Sequence, residues 1–155
     1  MIYLARHGDA LSSQQDADRP LSEVGVDGVK RVASLLQNSA MHPSRILHSG
    51  VLRARQTADL LADAIAPTVR PEIMEGLHPM DPVKTIALTL RTWSEPVLLV
   101  GHNPFMEALT ARLLTGHEHG AVIAFEPGTV AALAPITQDR SHFALLWHVN
   151  PSLVT

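Results

Sequence analysis

The sequence predicts an α/β layer fold with a largely parallel sheet, and three observations lead to it. Short uninterrupted apolar runs, IYLA at 2–5 and PVLLV at 96–100, stop abruptly at RHG and GHNP, as strands buried on both faces of a parallel sheet do. Stretches with apolar residues at helical spacing separate and follow them. Beyond residue 120 the chain turns to three closely spaced β-like runs, AVIAF, TVAALAP and HFALLWHV, which predict a strand-rich tail.

Each element has its own signal. Ile2 to Ala5 is a buried strand feeding a loop, and SSQQDADRP, polar and closed by proline, is a surface loop. From Ser22 to about Asn38, Val26, Val29, Ala33 and Leu36 recur at helical spacing with Ser22 as N-cap. SRILHS at 44–49 is a brief strand, and VLRARQTADLLADAI sets Ala54, Ala58, Leu61 and Ile65 on one helical stripe. TVRPEIM can form a short strand whose Pro71 points to a sheet edge or a bulge. In MDPVKTIALTLRTW, Asp81 reads as N-cap and Pro82 as the first helical residue, a place where the missing N–H of proline is harmless. Asn103 and Pro104 repeat that arrangement ahead of FMEALTARLL.

A chain of 155 residues with 46% apolar and 17% charged residues has the size and composition of one globular domain, and no linker or repeat divides residues 1–155. Three Phe, two Trp and one Tyr leave an aliphatic, alanine-rich core. The absence of cysteine removes disulfides, thiolate zinc sites and cysteine nucleophiles. A net charge of -3 offers no general attraction to nucleic acid or anionic membrane, so neither is expected as a partner and any anion must be held by a local cluster. MIYLARHG lacks the features of a signal peptide and no apolar run reaches the length of a membrane span, which makes the cytoplasm the expected location.

The residues with chemical potential share a position. His7 and His102 each stand just past the carboxyl end of an apolar strand, where open α/β sheets form their ligand crevices. Arg6 adjoins the first, and Arg53 stands near the start of the helix that follows SRILHS. Two arginines and two histidines around one point suit a dianionic phosphoryl group, because guanidinium forks match phosphate oxygens in pairs. A neutral imidazole can attack phosphorus, and a protonated one can stabilise the charge that spreads over the oxygens. The start of the helix near Asn103 would add backbone N–H donors. RHG alone is explained equally well by a solvated strand end; it is the second signature at a matching position that favours a site. Asp9 and Ser49 flank it, as orienting groups or as loop caps. His117 and His119, in GHEHG, lie two apart without a third ligand at standard spacing, so a solvated turn is expected and no metal or cofactor.

ARHGDA, LHSGVLRARQTADLL and LLVGHNPFMEALTARLL resemble the signature blocks of the histidine phosphatase superfamily, also called phosphoglycerate mutase-like. The short length, RHGDA, DRPLSEVG and VGHNP narrow the resemblance to its SixA-type phosphohistidine phosphatases, and it runs from residue 2 to about 115. The resemblance implies a three-layer α/β/α sandwich. It also implies His7 as a transiently phosphorylated nucleophile, Arg6 and Arg53 as phosphate ligands, His102 as the second catalytic histidine and Gly8 as the residue that lets the loop approach phosphate. Arg55 would be turned elsewhere. Many members carry an acidic proton donor in the segment that here reads PEIMEGLHPMDP; Glu75 is the candidate and Glu72 the other carboxylate, but neither sits in a matching motif.

The expected activity is therefore metal-independent hydrolysis of phosphohistidine on a partner protein domain, of the phosphorelay kind, through phospho-His7. Two alternatives stand beside it. One is a small-molecule phosphomonoesterase for sugar phosphates or nucleotides that uses Glu75. The other is a non-catalytic phosphate-binding module that needs only the arginines.

Overall fold

The computed structural model describes residues 1–120 and 122–155. A six-stranded sheet is flanked by helices on both faces. Its strands are β1 (Ile2–Arg6), β2 (Arg45–His48), β3 (Glu72–Ile73), β4 (Val97–Gly101), β5 (Val130–Pro135) and β6 (Phe143–Val149), and its helices are α1 (Glu23–Gln37), α2 (Leu52–Ile65), α3 (Val83–Thr92) and α4 (Phe105–Thr115). The strand order is β3-β2-β4-β1-β5-β6. The first four strands are mutually parallel, and β5 and β6 pair antiparallel at the far side.

Period-two alternation splits each central strand between two cores. Ile2, Leu4, Leu47, Val97, Leu99, Ala131 and Leu133 face α3 and α4. Tyr3, Ala5, Ile46, Leu98, Val100, Val130 and Ala132 face α1 and α2. β1 and β4 are buried on both sides, which is why their sequences are uninterrupted apolar runs. Alanines 54, 58 and 62 line the buried stripe of α2 beside Val29, Val32 and Leu36 of α1, and their small side chains let the helices approach closely. The three layers expected from the sequence are present.

The helix starts follow expectation in one case and depart from it in two. Ser22 caps α1, accepting the Gly25 N–H at 3.0 Å. At α3 the cap position is Pro82 rather than Asp81, because the Asp81 carboxylate turns back to accept the His78 backbone N–H at 2.8 Å. At α4 the cap is Pro104 rather than Asn103, and the helix begins at Phe105. The Asn103 amide instead donates to Glu107 Oε1 and to the Phe125 carbonyl. The His102 carbonyl takes the Met106 N–H, so that donor is not offered to a ligand.

The expected strand at AVIAF is absent: Ala121 lies outside the described residues, and 122–125 form a bend and irregular backbone. The physical reason is that the Phe125 carbonyl is used by side chains, Arg6 and Asn103, rather than by a ladder. β3 is an edge strand of two residues immediately after Pro71, as that proline predicted. Among the described residues no helix is long and apolar enough to cross a membrane.

The loop after β1 is pressed against α1. The Asp9 carbonyl accepts the Ser22 N–H at 3.0 Å, and Asp9 Oδ2 accepts the Ser22 hydroxyl at 2.6 Å. A Cβ on Gly25 would collide with the Asp9 backbone, and one on Gly8 would lie 2.8 Å from Val29 Cγ2. Helix propensity alone would favour Gly25→Ala by up to about 1 kcal/mol, but the collision reverses the sign. Urea unfolding should show Gly25→Ala destabilised by about 2–3 kcal/mol. Gly116→Ala, at a left-handed helix C-cap where a Cβ meets nothing within 4 Å, should lose only about 1 kcal/mol. Equal losses would contradict this account.

Candidate active site

Sheet register builds the centre of the crevice. Arg6 of β1 is level with Gly101 of β4, and His48 of β2 with Val100. Residues 7, 102 and 49 therefore leave three adjacent strand ends together. The His7 N–H continues the ladder to the Gly101 carbonyl at 3.0 Å. The two imidazoles come to rest with ring centroids 5.0 Å apart and planes at 58°.

The contacts of His7 define its tautomer. Nδ1 lies 2.7 Å from the Gly8 carbonyl oxygen, which can only accept, so Nδ1 carries the proton. Nε2 then holds the lone pair, and it accepts the Arg53 Nε–H at 3.2 Å. Gly8 N–H donates to Thr57 Oγ1 at 3.0 Å, and the Thr57 hydroxyl donates to the Arg53 carbonyl one turn earlier at 2.8 Å. Thr57, buried in α2, thus joins the loop bearing His7 to the helix that carries Arg53.

Arg6 is half-buried and its Nη1 donates to the Phe125 carbonyl at 2.7 Å. Burial weighs against its charge, while Glu107 and Asp9 favour it. Burial and the neighbouring Arg19 likewise press on Arg53. His102 is 1% exposed. Its Nε2 meets the Ser49 hydroxyl at 2.6 Å, and its buried Nδ1 has no partner among the described residues. Ser49 is therefore an orienting group, whereas Asp9 ties the loop to Ser22, the cap of α1.

Burial pushes the His7 imidazole down to about 4, with Arg53, Arg6 and Arg19 adding to the effect. Burial pushes His102 down to about 3, helped by His7, Arg53, His78 and Arg6. Both rings are neutral at pH 7, surrounded by guanidinium charge that the local carboxylates only partly offset. An arriving dianion would be attracted by the arginines and would restore the proton affinity of His102.

His7, Arg6, Arg53 and His102 come together as the sequence suggested; Gly8 adjoins them, but its missing side chain makes room for Val29 and the Gly25 carbonyl of α1 rather than for an anion. Arg55 is exposed and pairs with Asp59 at 3.8 Å on the outer side of α2. Glu75 is exposed, with no hydrogen bond or ion pair to any described residue, and Glu72 pairs with Arg45 at 3.7 Å on the sheet edge. His117 and His119 are exposed, and among the described residues no group of three or more His, Asp or Glu could hold a metal ion. Sequence reasoning missed Thr57, four positions beyond Arg53. It also missed Arg19, whose charge reaches His7 and Arg53 from a loop closed by the Leu11 N–H on the Pro20 carbonyl at 2.9 Å. Arg19 has a left-handed φ of 48° and donates through Nε to the Leu11 carbonyl.

These features define a class: an α/β protein with paired strand-end imidazoles in an arginine-lined anion crevice. The chain belongs to the histidine phosphatase superfamily (branch 1), whose family profile matches residues 2–85. It is 28% identical to the phosphohistidine phosphatase SixA of Escherichia coli (strain K12) over 156 residues, which span 97% of this chain and 93% of that protein. It is 38% identical to an uncharacterized protein of a Picosynechococcus strain over 111 residues, 66% of either chain. Among solved structures, the protein histidine phosphatase SixA complexed with tungstate superposes with a TM-score of 0.85 at 25% identity, covering 98% of this chain and 97% of that one.

The depressed imidazoles have a measurable consequence for stability. Both rings are neutral in the folded protein down to about pH 4, whereas in the unfolded chain they take up protons near pH 6.5. The unfolded state thus binds more protons between those values. The stability is fully present above about pH 6.5 and is lost as pH falls toward 4. The loss should be on the order of 3 kcal/mol for the two coupled rings. Denaturant unfolding at pH 7 and pH 4.5 should show a clear drop for the native sequence and a smaller one for His102→Asn; parallel drops would assign the effect to other groups.

Proposed function

We propose that the protein is a phosphatase that removes phosphate from histidine on a partner protein domain, through a covalent phospho-His7 intermediate. The observation that carries this reading is the fixed tautomer of His7, whose Nε2 lone pair points at Arg53 beside a second neutral imidazole. A binding module would need only the arginines. The similarity to SixA along nearly the whole chain supports the phosphohistidine substrate. The tungstate held by that relative is a tetrahedral oxyanion like phosphate.

The residues divide the work as follows. An incoming phosphoryl dianion draws the Arg53 guanidinium off Nε2 and onto its own oxygens, so anion binding uncovers the nucleophile. Arg6 holds the other oxygens while its Nη1 stays on the Phe125 carbonyl. Nε2 attacks phosphorus in line with the leaving nitrogen, and the Gly8 carbonyl stabilises the cationic ring through Nδ1–H. Gly8, whose missing side chain lets the loop press against α1, contributes through its carbonyl on His7. His102, positioned by Ser49, gains proton affinity from the dianion and stabilises charge on the phosphoryl oxygens in the transition state. Water then attacks the phosphoenzyme and releases inorganic phosphate. The arginines supply the positive charge that a metal would contribute elsewhere, which supports a metal-independent reaction.

Exposure of Glu75, with no described contact to the site, weighs against the small-molecule esterase reading that depends on it. Glu75→Gln should change turnover of an aryl phosphate by less than about twofold, and a large loss would reinstate that reading.

The central test uses a partner domain carrying labelled phosphohistidine, in the presence of chelator. Label should pass to the protein in acid-labile form and map to His7. His7→Ala should abolish both transfer and turnover, by about 10³-fold or more. Label on another residue, or turnover that survives His7→Ala, would overturn the mechanism. Arg53→Lys keeps the charge but loses the planar fork, so kcat/KM should fall by about 10-fold to 100-fold with the fold unaltered.

A further inference from the structure

The segment in which the family resemblance implies an acidic proton donor holds Glu75, which makes no contact with the site, and two residues of another kind, His78 and Asp81, that contact each other. After β3 the chain runs along the carboxyl ends of the strands, with the Met74 N–H donating to the His48 carbonyl at 2.9 Å. Fully buried Leu77 then anchors it in the core. The Leu77 carbonyl lies beside Gly101, 3.5 Å from where a Cβ on that glycine would stand. That brings residue 78 to the rim of the crevice next to the end of β4, one residue short of His102.

The His78 ring lies beside the Asp81 carboxylate. Asp81 Oδ2 lies 3.4 Å from His78 Nδ1, and the same oxygen accepts the His78 backbone N–H at 2.8 Å. The Asp81 N–H returns to the His78 carbonyl at 3.1 Å, closing a tight turn. With the carboxylate beside Nδ1, Nε2 is left without a partner among the described residues, and the side chain is 47% exposed. His78 stands close enough to His102 for its charge to press that imidazole down. Glu75 makes no such connection.

We propose that His78, oriented by Asp81, is the proton donor to the leaving group in phosphoenzyme formation and the base for the attacking water afterwards. The proposal rests on the phosphatase reading above. In the first step His7 Nε2 bonds to phosphorus and the P–N bond of the substrate breaks. The electron pair stays with the substrate ring, and His78 Nε2 gives its proton to the ring nitrogen not bonded to phosphorus. The ring leaves as neutral imidazole rather than as imidazolate, and His78 becomes neutral. In the second step water bonds to phosphorus, its proton passes to His78, and the P–Nε2 pair returns to His7. Inorganic phosphate departs and His78 is again protonated.

The test compares kcat/KM, which reports the chemistry up to phosphoenzyme formation, across leaving groups of different basicity. A phosphohistidine domain and phenyl phosphate need a proton; 4-nitrophenyl phosphate needs it far less. His78→Gln should lower kcat/KM by about 10²-fold for the first two and by about threefold for the nitrophenyl ester. It should also convert nitrophenyl turnover into a burst followed by a slow phase, because hydrolysis of the phosphoenzyme has lost its base. Asp81→Asn should show the same leaving-group pattern at about one tenth of the size, as befits a positioning residue. Equal losses for all three substrates, or no loss for any, would overturn the proposal, whether or not the variant melts earlier. The control is phospho-His7 in the unsubstituted protein: without it the phosphatase reading itself fails, and with it only the role of His78 is at stake.

Discussion

The site depends on the parallel pairing of β1 with β4. Their register puts Arg6 opposite Gly101, and the next rung is the His7 N–H on the Gly101 carbonyl at 3.0 Å. A parallel ladder advances both strands in the same direction, so residues that leave the sheet at the same level emerge side by side. That geometry sets two imidazoles 5.0 Å apart without a specialised loop. A slip of one residue would turn every apolar side chain of β1 into the opposite core. The packing of α1 and α2 on one face and α3 and α4 on the other therefore also holds the site in register.

Around this frame the electrostatics are arranged to favour an anion. His7 and His102 stay neutral because they are buried among guanidinium groups, and the Gly8 carbonyl fixes the tautomer of His7 while the Ser49 hydroxyl orients the His102 ring. The lone pair of His7 Nε2 is covered by the Arg53 Nε–H. In the proposed mechanism an arriving anion draws that guanidinium away, which would couple binding to activation through one side chain. Arg19 extends the same field outward from the loop that precedes α1.

Much of the architecture was legible in sequence because its signals are local. The apolar runs of β1 and β4, the stripe on α2 and the Ser22 cap each depend on residues within a few positions of one another. The pairing of His7 with His102 was legible for a less local reason: both follow buried strands, and parallel strands end at one side of a sheet. The departures came where side chains claim backbone partners far away in sequence. Phe125 lost its ladder partner to Arg6, 119 positions away. Asp81 and Asn103 left their cap positions for hydrogen bonds that no short-range pattern encodes.

By itself the sequence determined the residue types that can bind and attack a phosphoryl group, and the strand ends and helix start that bear them. Those follow from periodicity and chain order. Only the tertiary structure decided which nitrogen of His7 keeps its lone pair, that Ser49 and Thr57 contact the site residues, that Glu75 stays outside it, and that His78 and Asp81 meet in one tight turn. All but the last depend on distances of a few ångströms between segments tens of residues apart, and closing those distances is the work of core packing rather than of local propensity.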